Sequence, residues 1–451
     1  MRRPEINILL SIFVFLLIVA PASLSGAEYT DIVLDNGLKV LIMEDHSVPL
    51  VAVRVCYHVG IKDECPGLTG ITSLCENILQ EGTKAYRKGA LSKIIQAGGG
   101  YTSSYTDWDV TQFFIKVPSN MLDTALVLEA DRMANIIPTS EKLLLAKDNV
   151  RKRRLGEVES SLYGRLNEEY FNLAYIAHPY GHNRYGWPDD IDRINLDDLK
   201  KHIRRFFQPA NALLVIAGDI ETDVALARVK ELFGKIHSIP MDDRRPITDP
   251  VQVGERRSAI EGDVGIPVII IGYKIPPVTH PDITALRLIR NILTNGISSR
   301  LYRHMVLDEK SALHVDGGLI EPEGPGLVYS YAILNYDSPL DVGERQLLAE
   351  IDRLKTEYVS EAELEKAKNR ALVDFFKTSR TLDNKTGVVG TYKLIADDPH
   401  FTKKRIKALQ SVTIEDIMTT AQKYFMKSKR IIVTVSPSGT ETSTDSGDDY
   451  E

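Results

Sequence analysis

The chain repeats itself once, and that repeat limits what it can fold into. Asn195-Leu196-Asp197-Asp198-Leu199 opens a helical stretch that reaches Phe206-Phe207, and a strand-like run at 212–217 follows. Thr413-Ile414-Glu415-Asp416-Ile417 opens a second such stretch, reaching Tyr424-Phe425, with a strand-like run at 431–435. Both starts place an N-cap residue (Asn195, Thr413) ahead of first-turn acids, where helix N–H groups and the helix dipole favour them. Ser140-Glu141-x-x-Leu144 recurs as Ser360-Glu361-x-x-Leu364, 220 positions on, and Phe206 and Phe425 lie 219 apart. Two separate anchors with nearly one offset indicate a duplication. A chain of 451 residues built this way is expected to form two domains of one kind.

Each half carries both secondary-structure types. Residues 39–43, 51–56, 112–117 and 267–272 read as strands, and 121–135, 141–157 and 361–376 as amphipathic helices. Strands mixed with longer helices give an α+β class, two α/β-sandwich halves with helices packed on mixed sheets. Pro240, Pro246 and Pro250, mixed with Asp242, Asp243, Arg244 and Arg245, suit neither strand nor helix. The expected organisation is an N-terminal domain at 28–240, a linker at 241–255 and a C-terminal domain at 256–437. A tail at 438–451, rich in Ser, Thr, Gly and Asp, is expected to be disordered.

The first 27 residues read as a secretory address. Arg2 and Arg3 precede an apolar run at 8–20, Pro21 breaks it, and Ser25-Gly26-Ala27 supplies small residues for a signal peptidase. A run of about 13 residues is too short to span a ~30 Å hydrocarbon core. The mature chain is then expected outside the cytoplasm, in a bacterial periplasm, with no membrane span. Formal net charge is −7 with no long basic run, which argues against nucleic-acid binding. Three cysteines build no disulfide framework. Cys75 reads as a small buried apolar residue, and a Cys65–Cys75 bridge stays open.

Several motifs, in order, carry a family resemblance. They are Asp35-Asn36-Gly37-Leu38-Lys39-Val40, Pro66-Gly67-Leu68-Thr69-Gly70, Glu81-Gly82-Thr83, Glu129-Ala130-Asp131-Arg132-Met133, His178-Pro179-Tyr180 and Ser298-Ser299-Arg300-Leu301-Tyr302. Together they resemble the pitrilysin/insulinase metallopeptidases, in particular the small bacterial branch similar to mitochondrial processing peptidases. The resemblance implies two homologous halves forming a clamshell around peptide. It also implies zinc in active members, held by an inverted His-x-x-Glu-His motif on a helix and by a later glutamate. Histidines at i and i+4 share a helix face and reach one ion, and the intervening glutamate takes a proton from zinc-bound water.

This chain departs from that pattern. Aligned between Gly70 and Glu81, the motif reads Ser73-Leu74-Cys75-Glu76-Asn77. Ser73 and Asn77 replace the histidines and only the base position, Glu76, keeps its residue. Lys152 or Arg153 stands where the distal glutamate is expected. Hydroxyl and carboxamide are poor zinc ligands beside imidazole. At ~4 Å and an effective dielectric of ~20, a unit charge repels a dication by about 8 kcal/mol. An ion pair of Glu76 with Lys152 or Arg153 is therefore expected to fill the site, with no cofactor held there.

Tyr101–Thr106 matches the family's edge strand, on which Ser103, Ser104 and Tyr105 would meet the peptide by strand addition. The family's substrate-holding Arg and Tyr fall at Val306 and Leu313 here, so that role does not carry over. Arg300, Tyr302, His178 and His182 read as structural. The expected function is a non-catalytic subunit paired with an active zinc-containing sister chain. A stand-alone envelope peptide-binding scaffold and an active peptidase with an unorthodox site remain the alternatives.

Overall fold

The structure, a computed structural model, describes residues 29–241, 247–262 and 265–437. The expected signal segment, residues 242–246 of the expected linker and the acidic tail lie outside the described residues. Two sheets carry the chain. The first holds β1 (Thr30–Val33), β2 (Lys39–Glu44), β3 (Leu50–Tyr57), β4 (Tyr101–Thr106), β5 (Thr111–Pro118) and β6 (Ala212–Gly218). The second holds β7 (Arg256–Gly262), β8 (Val268–Ile275), β9 (Ala312–Ile320), β10 (Gly326–Leu334) and β11 (Arg430–Pro437).

Strand order is β1-β2-β6-β3-β5-β4 in the first sheet and β7-β11-β8-β10-β9 in the second. In each, one parallel pair (β2 with β6, β7 with β11) joins a run of antiparallel neighbours. The second sheet thus repeats the first without β1, which is the duplication written in hydrogen bonds. Central strands are apolar on both faces, as β6 and β8 illustrate, because helices cover both sides. Asn195 and Thr413 each form a full capping box at corresponding helix starts.

The halves are joined by an exchange of helices. Leu162–Ala174, from the first half, packs on β7 and β11 of the second. Leu382–Ala396, its counterpart 220 residues later, packs on β3 and β6 of the first. The first crossing buries Leu166, Tyr170 and Phe171 against Val268, Ile270 and Val433. The second buries Val389 and Leu394 against Leu41, Cys56 and Val215. Close approach needs glycine at both places. A Cβ on Gly272 would sit 1.9 Å from the Tyr170 hydroxyl, and one on Gly390 would sit 2.9 Å from Cys56 Sγ.

Each sheet also offers a cation to a crossing segment. Arg54 on β3 is buried and donates to Thr386 Oγ1 (3.0 Å), Gln112 Oε1 (2.8 Å) and the Asp383 carbonyl (2.8 Å), and it pairs with the Asp383 carboxylate. Lys274 on β8 pairs with Asp249, whose carboxylate accepts the N–H groups of Ile176, Ala177 and His178 just past the first crossing helix. No helix among the described residues is long and apolar enough to cross a membrane.

Replacing Arg54 leaves Gln112 and Thr386 without their donor beneath the second crossing helix. Arg54→Met is expected to destabilise the protein by about 2–4 kcal/mol, read from urea unfolding.

Candidate functional site at the motif helix

The helix bearing the aligned motif spans Ile71–Gln80 and lies almost wholly inside the first half. Gly70 turns into it at φ +83°, a left-handed conformation that glycine tolerates. The helix start has no side-chain N-cap of its own. Glu64 supplies the acceptor instead, taking the N–H groups of Gly70 (2.6 Å) and Thr72 (2.9 Å). Burial pushes the Glu64 carboxyl up to about 8, against the downward pull of those two donors.

Along the helix, Ser73 Oγ donates to the Arg184 carbonyl at 2.5 Å, and Asn77 Nδ2 donates to the Ser73 carbonyl at 2.8 Å. Both groups are committed to the backbone. Glu76 accepts hydrogen bonds from Ser104 Oγ (2.6 Å) and Thr106 Oγ1 (2.7 Å) of β4, with Gln80 Nε2 at 3.4 Å. The expected ion pair of Glu76 with Lys152 or Arg153 does not form. Lys152 is exposed and pairs with Asp148 at 2.6 Å, and Arg153 is exposed.

The reason is helical phase. The helix Ser140–Arg154 turns Leu143, Ala146, Val150 and Arg154 inward, at the spacing of one helix face. Arg154, not its two neighbours, is the cation that enters the interior. It is held bidentately by Glu168 (2.8 and 3.0 Å), by Glu159 (2.9 Å) and by the Gly186 carbonyl (2.9 Å). A π turn at Leu155–Glu159 ends the expected helix early and brings Glu159 back to the guanidinium. Ser73 and Arg154 grip carbonyls of the same short stretch, Arg184 and Gly186, which places the cation beside the motif helix.

The aligned positions, Ser73 and Asn77 with Lys152 or Arg153, do not fit a zinc ion: they present a committed hydroxyl, a committed carboxamide and an exposed cation. Among the described residues, no group of three or more His, Cys, Asp and Glu side chains is arranged to hold a metal. Cys75 is buried, Cys65 is exposed, and all three cysteines are free. His178 accepts the Tyr180 N–H on Nδ1, and burial lowers it to about 4. His182 bonds the Asn183 carbonyl through Nδ1 and faces Glu64 at 3.6 Å, with burial lowering its pKa. Arg300 pairs with Glu363 in the second half, at 2.9 and 3.1 Å.

Strand β4 lies at the edge of its sheet, paired with β5 alone. Alternation turns Ser104 and Thr106 toward Glu76, while Ser103 and Tyr105 face the other way. A cleft of about 410 Å³ opens next to this strand, lined by Thr106, Trp108, Glu157, Glu168 and Arg184 among others. Sequence reasoning missed Glu64, Arg154, Glu168 and Thr106. Of these, only Arg154 had a readable signal, the inward spacing from Leu143.

Comparison with known proteins settles the family. A sequence model described as insulinase (peptidase family M16) matches residues 39–186, and one described as the peptidase M16 inactive domain matches 193–371. The chain belongs to the insulinase, or M16, peptidase family. It is 26% identical to zinc protease PqqE of Helicobacter pylori over 97% of this chain and all of that one. A crystal structure of a protease from Helicobacter pylori superposes with a TM-score of 0.87 at 26% identity, covering 91% of this chain and 100% of that one. A Pseudomonas fluorescens structure described as a peptidase M16 inactive domain gives 0.81 at 19% identity, over 91% and 98%. The M16 fold therefore extends over both halves.

Glu64 makes stability depend on pH. Between about 4.5 and 8 the native state keeps a proton that the unfolded chain has released, so stability falls as pH rises through that window and levels off above it. Glu64→Gln removes this contribution. The urea midpoint of the wild type is expected to fall relative to that of Glu64→Gln between pH 5 and pH 8.5, and parallel pH profiles would refute the assignment.

Proposed function

We propose that this M16 chain is a non-catalytic subunit of a periplasmic zinc peptidase. It walls part of the peptide chamber and holds peptide beside an active sister chain that carries an intact His-x-x-Glu-His motif. The observation that carries this reading is the donor set of the aligned motif. Beside it the buried Arg154 guanidinium is held by Glu168 and Glu159 and bonds the Gly186 carbonyl, so it too is committed within the fold. Ser73 and Asn77 lack the imidazoles and spend their donors on backbone carbonyls. Glu76 then has no metal-bound water to deprotonate, and its carboxylate serves to fasten β4 to the motif helix.

Peptide holding does not need the metal. The outer edge of β4 offers backbone N–H and C=O groups to an extended chain, and strand addition reads backbone rather than side chains. The subunit role follows from a kept binding edge beside an altered metal site. The periplasmic location rests on the signal-like residues 1–27.

Metal analysis of the mature protein tests the reading. After incubation with zinc and dialysis, the wild type is expected to retain far less than one zinc per chain. Of the triple variants that add Ser73→His and Asn77→His to Lys152→Glu or to Arg153→Glu, one is expected to retain about one zinc. A tightly held stoichiometric zinc in the wild type would overturn the proposal. Folded triple variants that both bind none would count against the placement of the motif at Ser73 and Asn77.

A further inference from the structure

The second half contains a cavity that the peptidase reading leaves without a role. It measures about 210 Å³ and lies where the crossing helix Leu382–Ala396 meets the helices Ile283–Thr294, Glu361–Thr378 and Phe401–Ser411. Its walls are largely apolar, with Leu372, Phe375, Val388 and Leu409 among them. An apolar cavity of about 150 Å³ admits benzene, so this one holds a ring-sized body with a short polar group attached.

The polar groups of the cavity are cationic and donor-rich. Arg405 donates to Glu321 Oε1 at 2.6 Å and to the Tyr392 hydroxyl at 3.1 Å, and Arg287 pairs with the other oxygen of Glu321. Two guanidiniums share one carboxylate, which leaves one positive charge in excess. Arg287 makes no other hydrogen bond among the described residues, and its side chain is 37% exposed. Asp374 also lines the cavity, but Arg370 (3.8 Å) and Asn295 Nδ2 (3.3 Å) engage its carboxylate. The Thr402 hydroxyl is buried in the wall and has no hydrogen-bond partner among the described residues. Its oxygen is closed off from the cavity, which leaves Arg287 as the polar group with donors to offer there.

We infer that this cavity binds a small monocarboxylate with an aromatic or branched aliphatic body, either a free acid or the C-terminal residue of a peptide. The body covers Leu372, Phe375, Val388 and Leu409. The carboxylate takes the N–H groups of Arg287 that Glu321 leaves free, in the paired geometry that guanidinium and carboxylate favour. Position gives the site a consequence. Val388 and Tyr392 of the crossing helix line the cavity, while Thr386, Val389 and Lys393 of the same helix meet the first half. A ligand therefore braces the helix that joins the halves and stabilises the native chain by mass action.

The full mature chain is titrated by calorimetry with 3-phenylpropionate, 3-phenylpropanol, 3-phenylpropylamine and the tripeptide Gly-Gly-Phe. The acid is expected to bind, the alcohol to bind at least tenfold more weakly, and the amine not to bind. Tripeptide binding as tight as that of the acid identifies a peptide terminus as the source, and binding of the acid alone identifies a free acid. Arg287→Gln is expected to weaken the acid by about tenfold or more and to leave the alcohol unchanged. Val388→Phe, which fills the cavity, is expected to abolish binding of both while the far-UV circular dichroism spectrum stays that of the wild type. Failure of the acid to bind, equal binding of acid and amine, or an acid affinity indifferent to Arg287→Gln would overturn the inference.

Discussion

The reciprocal packing of two crossing helices holds the rest of the molecule in place. Leu162–Ala174 and Leu382–Ala396 each leave their own half and cover a sheet face of the other. Apolar burial supplies most of the attraction in both contacts, and it is non-directional. Direction comes from the cations, Arg54 and Lys274, which bind at or near the ends of the crossing segments. A buried guanidinium with four acceptors has one good position for its partner helix, so Arg54 sets register where hydrophobic contact alone would not.

The same logic, turned inward, explains the packing around the motif helix. A buried cation must be neutralised or it destabilises the fold. Around Arg154 that duty falls to Glu168 and Glu159, and the π turn at Leu155–Glu159 lets the second of these reach back. Glu76 is left to two hydroxyls of β4, which tie the edge strand to the motif helix. The site is thus a finished structural joint, with its donors and acceptors spent on one another.

Much of the fold was legible from residue order. Strand and helix periodicity, the capping residues Asn195 and Thr413 and the offset of about 220 are local or arithmetic signals, and the two sheets repeat one topology accordingly. The edge position of β4 was legible as well. The ionic partners were not. The resemblance put Lys152 or Arg153 at the distal-ligand position with Glu76 as partner, yet the inward face that begins at Leu143 runs through Val150 to Arg154. Adjacent residues on a helix point about 100° apart, so a slip of one or two positions exchanges a solvated lysine for a buried arginine.

By itself, the sequence determined the family, the duplication and the absence of histidines from the motif, because each is a matter of which residues stand in what order. Tertiary structure alone decided which cation of the helix Ser140–Arg154 was buried, that Glu76 would bind Ser104 and Thr106, that Glu64 would cap the motif helix, and that the halves would exchange helices. Each of those outcomes depends on groups brought together only when sheets and helices close on one another. There, burial raises the cost of an unpaired charge or donor, and three-dimensional proximity selects the partner that satisfies it.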